Sequence, residues 1–160
     1  MNIGILGTGE VGSAIKKVVE KKHSVFTKDR KNDFIYKHRI EVLHICIPDS
    51  KEFIQIVIRA IKAYAPTLTI IESSVPPGTT DKIFFKTKCL ICHSPIRGVH
   101  PNLYQGIKTF IKYIGPTSIA AGQKAEAYYK KLGLKTELFQ NARTTEIAKL
   151  MDTTYYGWNI

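Results

Sequence analysis

Residues 2 to 12, Asn-Ile-Gly-Ile-Leu-Gly-Thr-Gly-Glu-Val-Gly, constrain this chain more than any other stretch. A short apolar run, Ile3, Ile5 and Leu6, reads as a buried strand, and Gly7, Gly9 and Gly12 follow it at Gly-x-Gly-x-x-Gly spacing. Each glycine answers a different steric demand. Gly7 permits the tight turn out of the strand, and Gly9 lets a pyrophosphate approach the backbone with no Cβ in the way. Gly12 lets the next helix pack closely on the sheet, with free N–H groups and the positive dipole end facing the phosphates. The context this spacing requires is present. Val11 to Lys22 is amphipathic, with Val11, Ala14, Ile15, Val18 and Val19 on one side and lysines on the other. His23 to Asp29 reads as a second strand, and Asp29 lies where an acid accepts from a ribose 2′-hydroxyl. Gly7, Thr8, Gly9, Glu10, Val11, Gly12 and Asp29 are therefore candidates to hold a dinucleotide. Asp29 would repel a 2′-phosphate and so favours NAD over NADP, while the neighbouring Arg30 and Lys31 oppose that preference. A glycine turn in some other βαβ unit is the competing reading.

The rest of the chain continues the alternation. Arg30 to Arg39 is polar, a short helix or loop. Glu41 to Ile47 is a nearly continuous apolar run, as in a strand covered on both faces, and Pro48 ends it. A helix from Asp49 or Ser50 through Tyr64 follows, then strand Leu68 to Ile71, the turn Ser73 to Thr80 and another helix. Further on come strand Cys89 to His93, a long loop Ser94 to Gln105, and strand Phe110 to Ile114. Helix Ser118 to Leu132, closed by Gly133, precedes strand Thr136 to Phe139 and a last helix starting near Asn141 to Thr144. This order implies a Rossmann-type α/β fold, a doubly wound, mostly parallel sheet with helices on both faces. Residues 1–140 form the nucleotide-binding domain, and residues 141–160 open a linking or dimerisation helix. In such a sheet the ligand lies beyond the carboxyl ends of the strands. The segments Ile47 to Ser50, Ser73 to Thr79 and Ser94 to His100 then join the glycine turn and Asp29 around one crevice. Ile47, Pro48, Ser73 and Ser74 become cofactor candidates. Ser94, Arg97 and His100 become substrate candidates, because Arg97 has a planar fork suited to a carboxylate or phosphate. His93 belongs to the same loop cluster, and His44 reads as a core histidine.

Composition narrows the partners. The chain of 160 residues is 44% hydrophobic and 23% charged, ordinary globular material. No apolar run approaches the roughly 18 residues of a membrane span, and no signal peptide precedes the first strand, so a cytoplasmic protein is expected. The net charge of +11, dense between Lys16 and Arg39, suits either nucleic acid or anionic cofactors and substrates. No nucleic-acid-binding motif accompanies it, which favours the small anions. Cys46, Cys89 and Cys92 are an odd count and argue against a disulfide framework. Cys89-Leu90-Ile91-Cys92-His93 matches the haem-attachment spacing but lies in an apolar strand, so these read as core cysteines, and no metal site is expected.

Specific segments resemble a known family. Ile71-Glu72-Ser73-Ser74-Val75-Pro76-Pro77-Gly78-Thr79-Thr80 resembles the E-S-T-V-x-P-G-T stretch of the UDP-glucose/GDP-mannose dehydrogenases. Cys46-Ile47-Pro48 sits where that family has V-P-T-P, and His93-Ser94-Pro95-Ile96-Arg97-Gly98 occupies the place of its N-P-E or S-P-E segment. The latter is also similar to the P-V-S-G loop of the 3-hydroxyisobutyrate and 6-phosphogluconate type of dehydrogenase. Lys112 to Gly115 resembles the segment before I-G-G, and Thr145-Glu146-Ile147-Ala148-Lys149-Leu150 resembles the helix opening with A-E-x-x-K. The resemblance implies an NAD-dependent dehydrogenase, or part of one, acting on a CH–OH group of a sugar nucleotide or hydroxy acid. It implies Lys149 as the catalytic residue assisting proton transfer. A non-catalytic nucleotide-binding or regulatory module that lacks its substrate half is the alternative. Ile96 stands where the family has glutamate, and Thr153 where it has asparagine. The family's nucleophilic cysteine and sugar-nucleotide domain would lie beyond Ile160, so no four-electron oxidation is expected of these residues alone. Glu146, Lys149 and Thr153 share one helix face, and a surface Glu146–Lys149 pair worth about 0.5 kcal/mol at most is the competing reading there. Tyr155, Tyr156 and Trp158 make the helix end apolar. Residues 144–160 are therefore expected to cover a second domain or to form a homodimer.

Overall fold

The computed structural model describes residues 1–98 and 102–158. Its strands are β1 (Asn2–Leu6), β2 (Ser24–Lys28), β3 (Val42–Ile45), β4 (Leu68–Ile71), β5 (Ile91–His93), β6 (Lys112–Pro116) and β7 (Thr136–Leu138). Its helices are α1 (Glu10–Val19), α2 (Phe53–Tyr64), α3 (Thr79–Thr87), α4 (Leu103–Thr109), α5 (Ile119–Lys131) and α6 (Ala142–Trp158). The strands form one seven-stranded sheet in the order β2-β1-β3-β4-β5-β6-β7. Every neighbouring pair is parallel except β5 with β6. This is the doubly wound, mostly parallel Rossmann-type sheet that the alternation implied.

Alternating side chains of β1 feed two cores. Ile3 and Ile5 pack in one cluster with Ala14, Ile15, Val18 and Val19 of α1 and with Ala121, Ala125 and Tyr129 of α5. Leu6 joins Leu43, Ile45, Phe53, Val57, Ile61 and Ile83 in the other, under α2 and α3. Burying each of the larger side chains contributes about 1.5–3 kcal/mol. Both faces of the central strands are thus clamped, and the turns at their carboxyl ends hang from a fixed frame.

Four local features differ from the sequence expectation or sharpen it. Helix α2 begins at Phe53 rather than at Asp49 or Ser50, and Glu52 at its start makes no side-chain cap. The segment expected as a long loop ends in α4, where Leu103 and Ile107 turn inward. A side chain at Gly106 would come within 2.7 Å of the Gly98 Cα, so the glycine lets α4 lie on the preceding loop. Strand β6 starts at Lys112, and its antiparallel register pairs Cys92 with Pro116 and His93 with Gly115. A side chain at Gly115 would collide with the Thr145 hydroxyl, so the first turn of α6 rests directly on β6. Among the described residues no helix is long and apolar enough to cross a membrane.

Candidate functional site

A cleft of about 770 Å³ opens at the carboxyl ends of β1, β2 and β3. Every cofactor candidate except Gly12 lines it. The three glycines differ as their spacing suggested. Gly7 has φ +99°, and a Cβ there would sit 2.7 Å from the Cys46 carbonyl oxygen. At Gly12 a Cβ would strike the Gly7 carbonyl oxygen, so α1 is pressed against the turn. Gly9 faces open space, with nothing within 4 Å of an added Cβ. Gly9 also precedes α1 without a side-chain cap, which leaves first-turn N–H groups available at the positive end of the helix.

Asp29 stands exposed on the rim of this cleft beside Arg30. Its Oδ1 accepts from Lys31 N at 2.8 Å and Asn32 N at 2.9 Å, and its Oδ2 accepts from the Thr8 hydroxyl at 3.2 Å. These bonds, the Asn32 and Lys31 amides first, hold its carboxyl below the usual range. Across the cleft the Ser73 hydroxyl donates to the Ile47 carbonyl at 2.6 Å, joining the ends of β3 and β4.

A second cleft, of about 420 Å³, lies where the 95–97 segment meets α6. Arg97, Tyr113, Lys149, Met151, Asp152 and Tyr155 are among its walls. The Arg97 guanidinium lies 4.5 Å from the Tyr113 ring centroid and 5.4 Å from that of Phe110. Lys149 is half-buried. Burial pulls its ammonium below the usual lysine value, Asp152 opposes that, and Lys112 and Arg97 add to it. The structure thus brings Arg97 and Lys149 together. Ser94 does not join them: it is buried, and its hydroxyl donates to the Tyr113 carbonyl at 2.6 Å. The hydroxyl expected to meet a substrate instead fastens the loop to β6. His100 lies outside the described residues. Thr153 turns its hydroxyl back onto the Lys149 carbonyl at 2.9 Å.

Two further expectations are corrected. Glu146 forms no surface pair with Lys149. It is fully buried and accepts from Gly78 N at 2.5 Å, Thr80 N at 2.9 Å and the Thr80 hydroxyl at 2.6 Å. It therefore caps the start of α3, where anionic charge is favourable. His93 is not a loop group either. It is buried, donates through Nε2 to the Ser73 carbonyl at 3.1 Å, and meets the Thr145 hydroxyl through Nδ1 at 2.9 Å. Burial lowers its pKa to about 4, so it is neutral.

Sequence reasoning missed a buried polar network that joins the walls of the two clefts. Lys112 donates to Glu72 Oε2, to the Ser94 carbonyl at 2.6 Å and to the Pro95 carbonyl at 3.3 Å. Glu72 Oε1 also accepts from His44 Nδ1 and from the Tyr129 hydroxyl, each at 2.9 Å. Burial alone would push the Glu72 carboxyl up, but Lys112 and His44 outweigh it and hold it down. The signal was a lysine inside the apolar run Phe110 to Ile114, since a buried lysine requires a partner. Among the described residues, no group of three or more His, Cys, Asp or Glu is placed to hold a metal ion.

No family model matches the sequence. Residue by residue, however, the chain is 29% identical over 139 residues to a UDP-N-acetyl-D-mannosamine dehydrogenase of Methanocaldococcus jannaschii, covering 76% of this chain and 33% of that protein. In sequence the chain is similar to UDP-N-acetyl-D-mannosamine dehydrogenases. The solved UDP-D-ManNAc dehydrogenase of Pyrococcus horikoshii superposes with TM-score 0.80 at 23% identity, over 98% of this chain and 50% of that one. The solved GDP-mannose dehydrogenase of Pseudomonas aeruginosa superposes with TM-score 0.75 at 15% identity, over 99% of this chain and 50% of that one. At such identities the likeness is one of fold. This chain spans half of those solved chains, and its match covers a third of the curated relative. It carries a dehydrogenase-type nucleotide-binding domain, and the non-catalytic alternative is not favoured.

Proposed function

We propose that this chain is the NAD-binding part of a dehydrogenase acting on the CH–OH group of a sugar nucleotide or a hydroxy acid. The observation that carries the reading is the Gly7–Gly12 turn, opening onto a cleft with Asp29 on its rim. When bound there, NAD supplies the acceptor for hydride from the alcohol carbon. The residues present fit that group. The first-turn N–H groups of α1 and the bare backbone at Gly9 hold the pyrophosphate, and Asp29 accepts from a ribose hydroxyl. Ile47, Pro48, Ser73 and Ser74 supply the opposite wall. Lys149 is the catalytic candidate, since burial disfavours its ammonium and so favours the neutral amine, which can take the alcohol proton.

The substrate is a small anion or carries one, because Arg97 and Lys149 dominate the second cleft. The remainder of the substrate site belongs to a second domain or a partner subunit seated on residues 144–160. The test supplies NAD together with UDP-N-acetyl-D-mannosamine, other UDP-sugars and small hydroxy acids, and follows reduced nicotinamide by absorbance. The chain should bind NAD yet reduce it only when the α6 surface is completed. Turnover by a strictly monomeric chain, unaffected by Lys149→Ala, would contradict both the catalytic role and the incomplete site.

A further inference from the structure

A third cleft, of about 570 Å³, opens between α5 and the amino ends of β1, β3 and β4. It faces away from the dinucleotide cleft, from which it is separated by the length of β1, about 13 Å. Its volume lies in the range of small-ligand sites. The floor is apolar and fixed. Val42 and Leu68 are buried at the starts of their strands, and Tyr128 of α5 lies beside them. The Tyr128 hydroxyl meets His44 Nε2 at 2.8 Å, and its ring stacks on His23 with centroids 6.1 Å apart, so two partners hold the ring in place.

The walls carry Arg39, Lys124 and Lys131, all exposed, and among the described residues none of the three pairs with an acid. Lys124 and Lys131 share one face of α5, two helical turns apart. Lys130, outside the cleft, is by contrast paired with Glu126 at 3.0 Å. The carboxylate among the lining residues, Glu41, is already engaged, since its Oε2 accepts from the Asn2 amide at 2.8 Å. At the end of α5 the Lys131 carbonyl accepts from Lys22 Nζ at 2.7 Å, which offsets the negative end of that helix. Three unpaired cations beside an apolar floor match a ligand that is doubly charged at one end and apolar at the other. A single carboxylate balances one of them. A phosphate monoester carries about −1.5 to −2 at neutral pH, and lysine serves it as a point charge.

We propose that this cleft binds a small phosphate monoester with an apolar body, its phosphate among Arg39, Lys124 and Lys131 and its apolar part on Val42, Leu68 and Tyr128. The site is independent of the dehydrogenase reading, because it shares no lining residue with either of the other clefts.

The experiment follows the amide shifts of the full chain by two-dimensional NMR at low ionic strength. Phenyl phosphate, inorganic phosphate or phenol is added, with and without saturating NADH. The wild type is compared with a Lys124→Gln, Lys131→Gln variant, checked for fold by circular dichroism. Phenyl phosphate should shift the Val42, Leu68 and Lys124 amides saturably, and NADH should make no difference. The double variant should bind it about tenfold or more weakly, having lost two of the three cations. Inorganic phosphate and phenol should each bind about tenfold or more weakly than phenyl phosphate, one lacking the apolar body and the other the charge. Equal affinity in wild type and the double variant would overturn the site, as would displacement by NADH or shifts confined to residues 7–12. Inorganic phosphate bound as tightly as phenyl phosphate would overturn the ligand class, since the apolar floor would then contribute nothing. Shifts that never saturate and spread over the exposed lysines would reduce the site to general charge attraction and overturn it as well.

Discussion

At the scale of single residues, Asp29 and His93 show how position sets chemistry. Asp29 is exposed, yet its charge is anchored by the Lys31 and Asn32 amides, so the carboxylate stays ionised and aimed at the cleft rim. Arg30 lines the same cleft. Asp29→Ala should therefore weaken NAD and strengthen NADP, because it removes both an acceptor for the 2′-hydroxyl and a repeller of the 2′-phosphate. Equilibrium titration of both nucleotides checks this, and tighter NADP binding to the wild type would contradict it. His93 makes a stability prediction. Its folded pKa of about 4 lies below the ordinary histidine value of 6.5 because burial disfavours the cation. As pH falls through that window the unfolded chain takes up a proton that the folded chain refuses. The contribution is fully present above pH 6.5 and is lost on the way to pH 4, about 3 kcal/mol in all. Urea midpoints across this range should fall more steeply in wild type than in His93→Gln, and equal slopes would exclude His93 as the cause.

At the scale of elements, α6 is the part that mattered most and was least visible. Its apolar residues and its resemblance to an A-E-x-x-K helix placed Lys149 on it, but nothing local revealed that Glu146 reaches α3. The partners are 66 residues apart, and a glutamate three positions before a lysine looks like an ordinary surface pair. Glu72 and Lys112 were hidden for the same reason, at a separation of 40 residues. The glycine turn, by contrast, was legible because its constraints are local: Gly7, Gly9 and Gly12 act within one strand, one turn and one helix. The strands β1, β3 and β4 were legible through their apolar runs, whereas α4 was hidden by Gly106 and by polar neighbours. Because Glu146 satisfies two backbone N–H groups at the start of α3, Glu146→Ala should destabilise the fold by about 3 kcal/mol. A shift in urea midpoint with an unchanged slope would report it. A loss under about 0.5 kcal/mol would mean that water replaces the carboxylate without strain.

At the scale of the whole molecule, the two clefts lie on walls that share one buried network. Glu72 immediately precedes Ser73 of the first cleft, and Lys112 holds the backbone leading to Arg97 of the second. Beyond them α6 exposes Ile147 at 42%, Met151 at 67% and Tyr155 at 69%, an apolar stretch that suits a covering surface. Tyr156 and Trp158, which extended this expectation, have no described side chains. Sedimentation should find association that weakens in a Met151→Lys, Tyr155→Lys variant; a monomer at every concentration would contradict association through this face. The central claim is that the Gly7–Gly12 turn holds a dinucleotide, and a single comparison reaches it. Gly9 has free space around its missing Cβ, so Gly9→Val should fold normally and differ from wild type only inside the cleft. Titrating NADH by its fluorescence should give saturable binding at one site in wild type and none in folded Gly9→Val. Undiminished binding in that variant would place the nucleotide elsewhere and contradict the account.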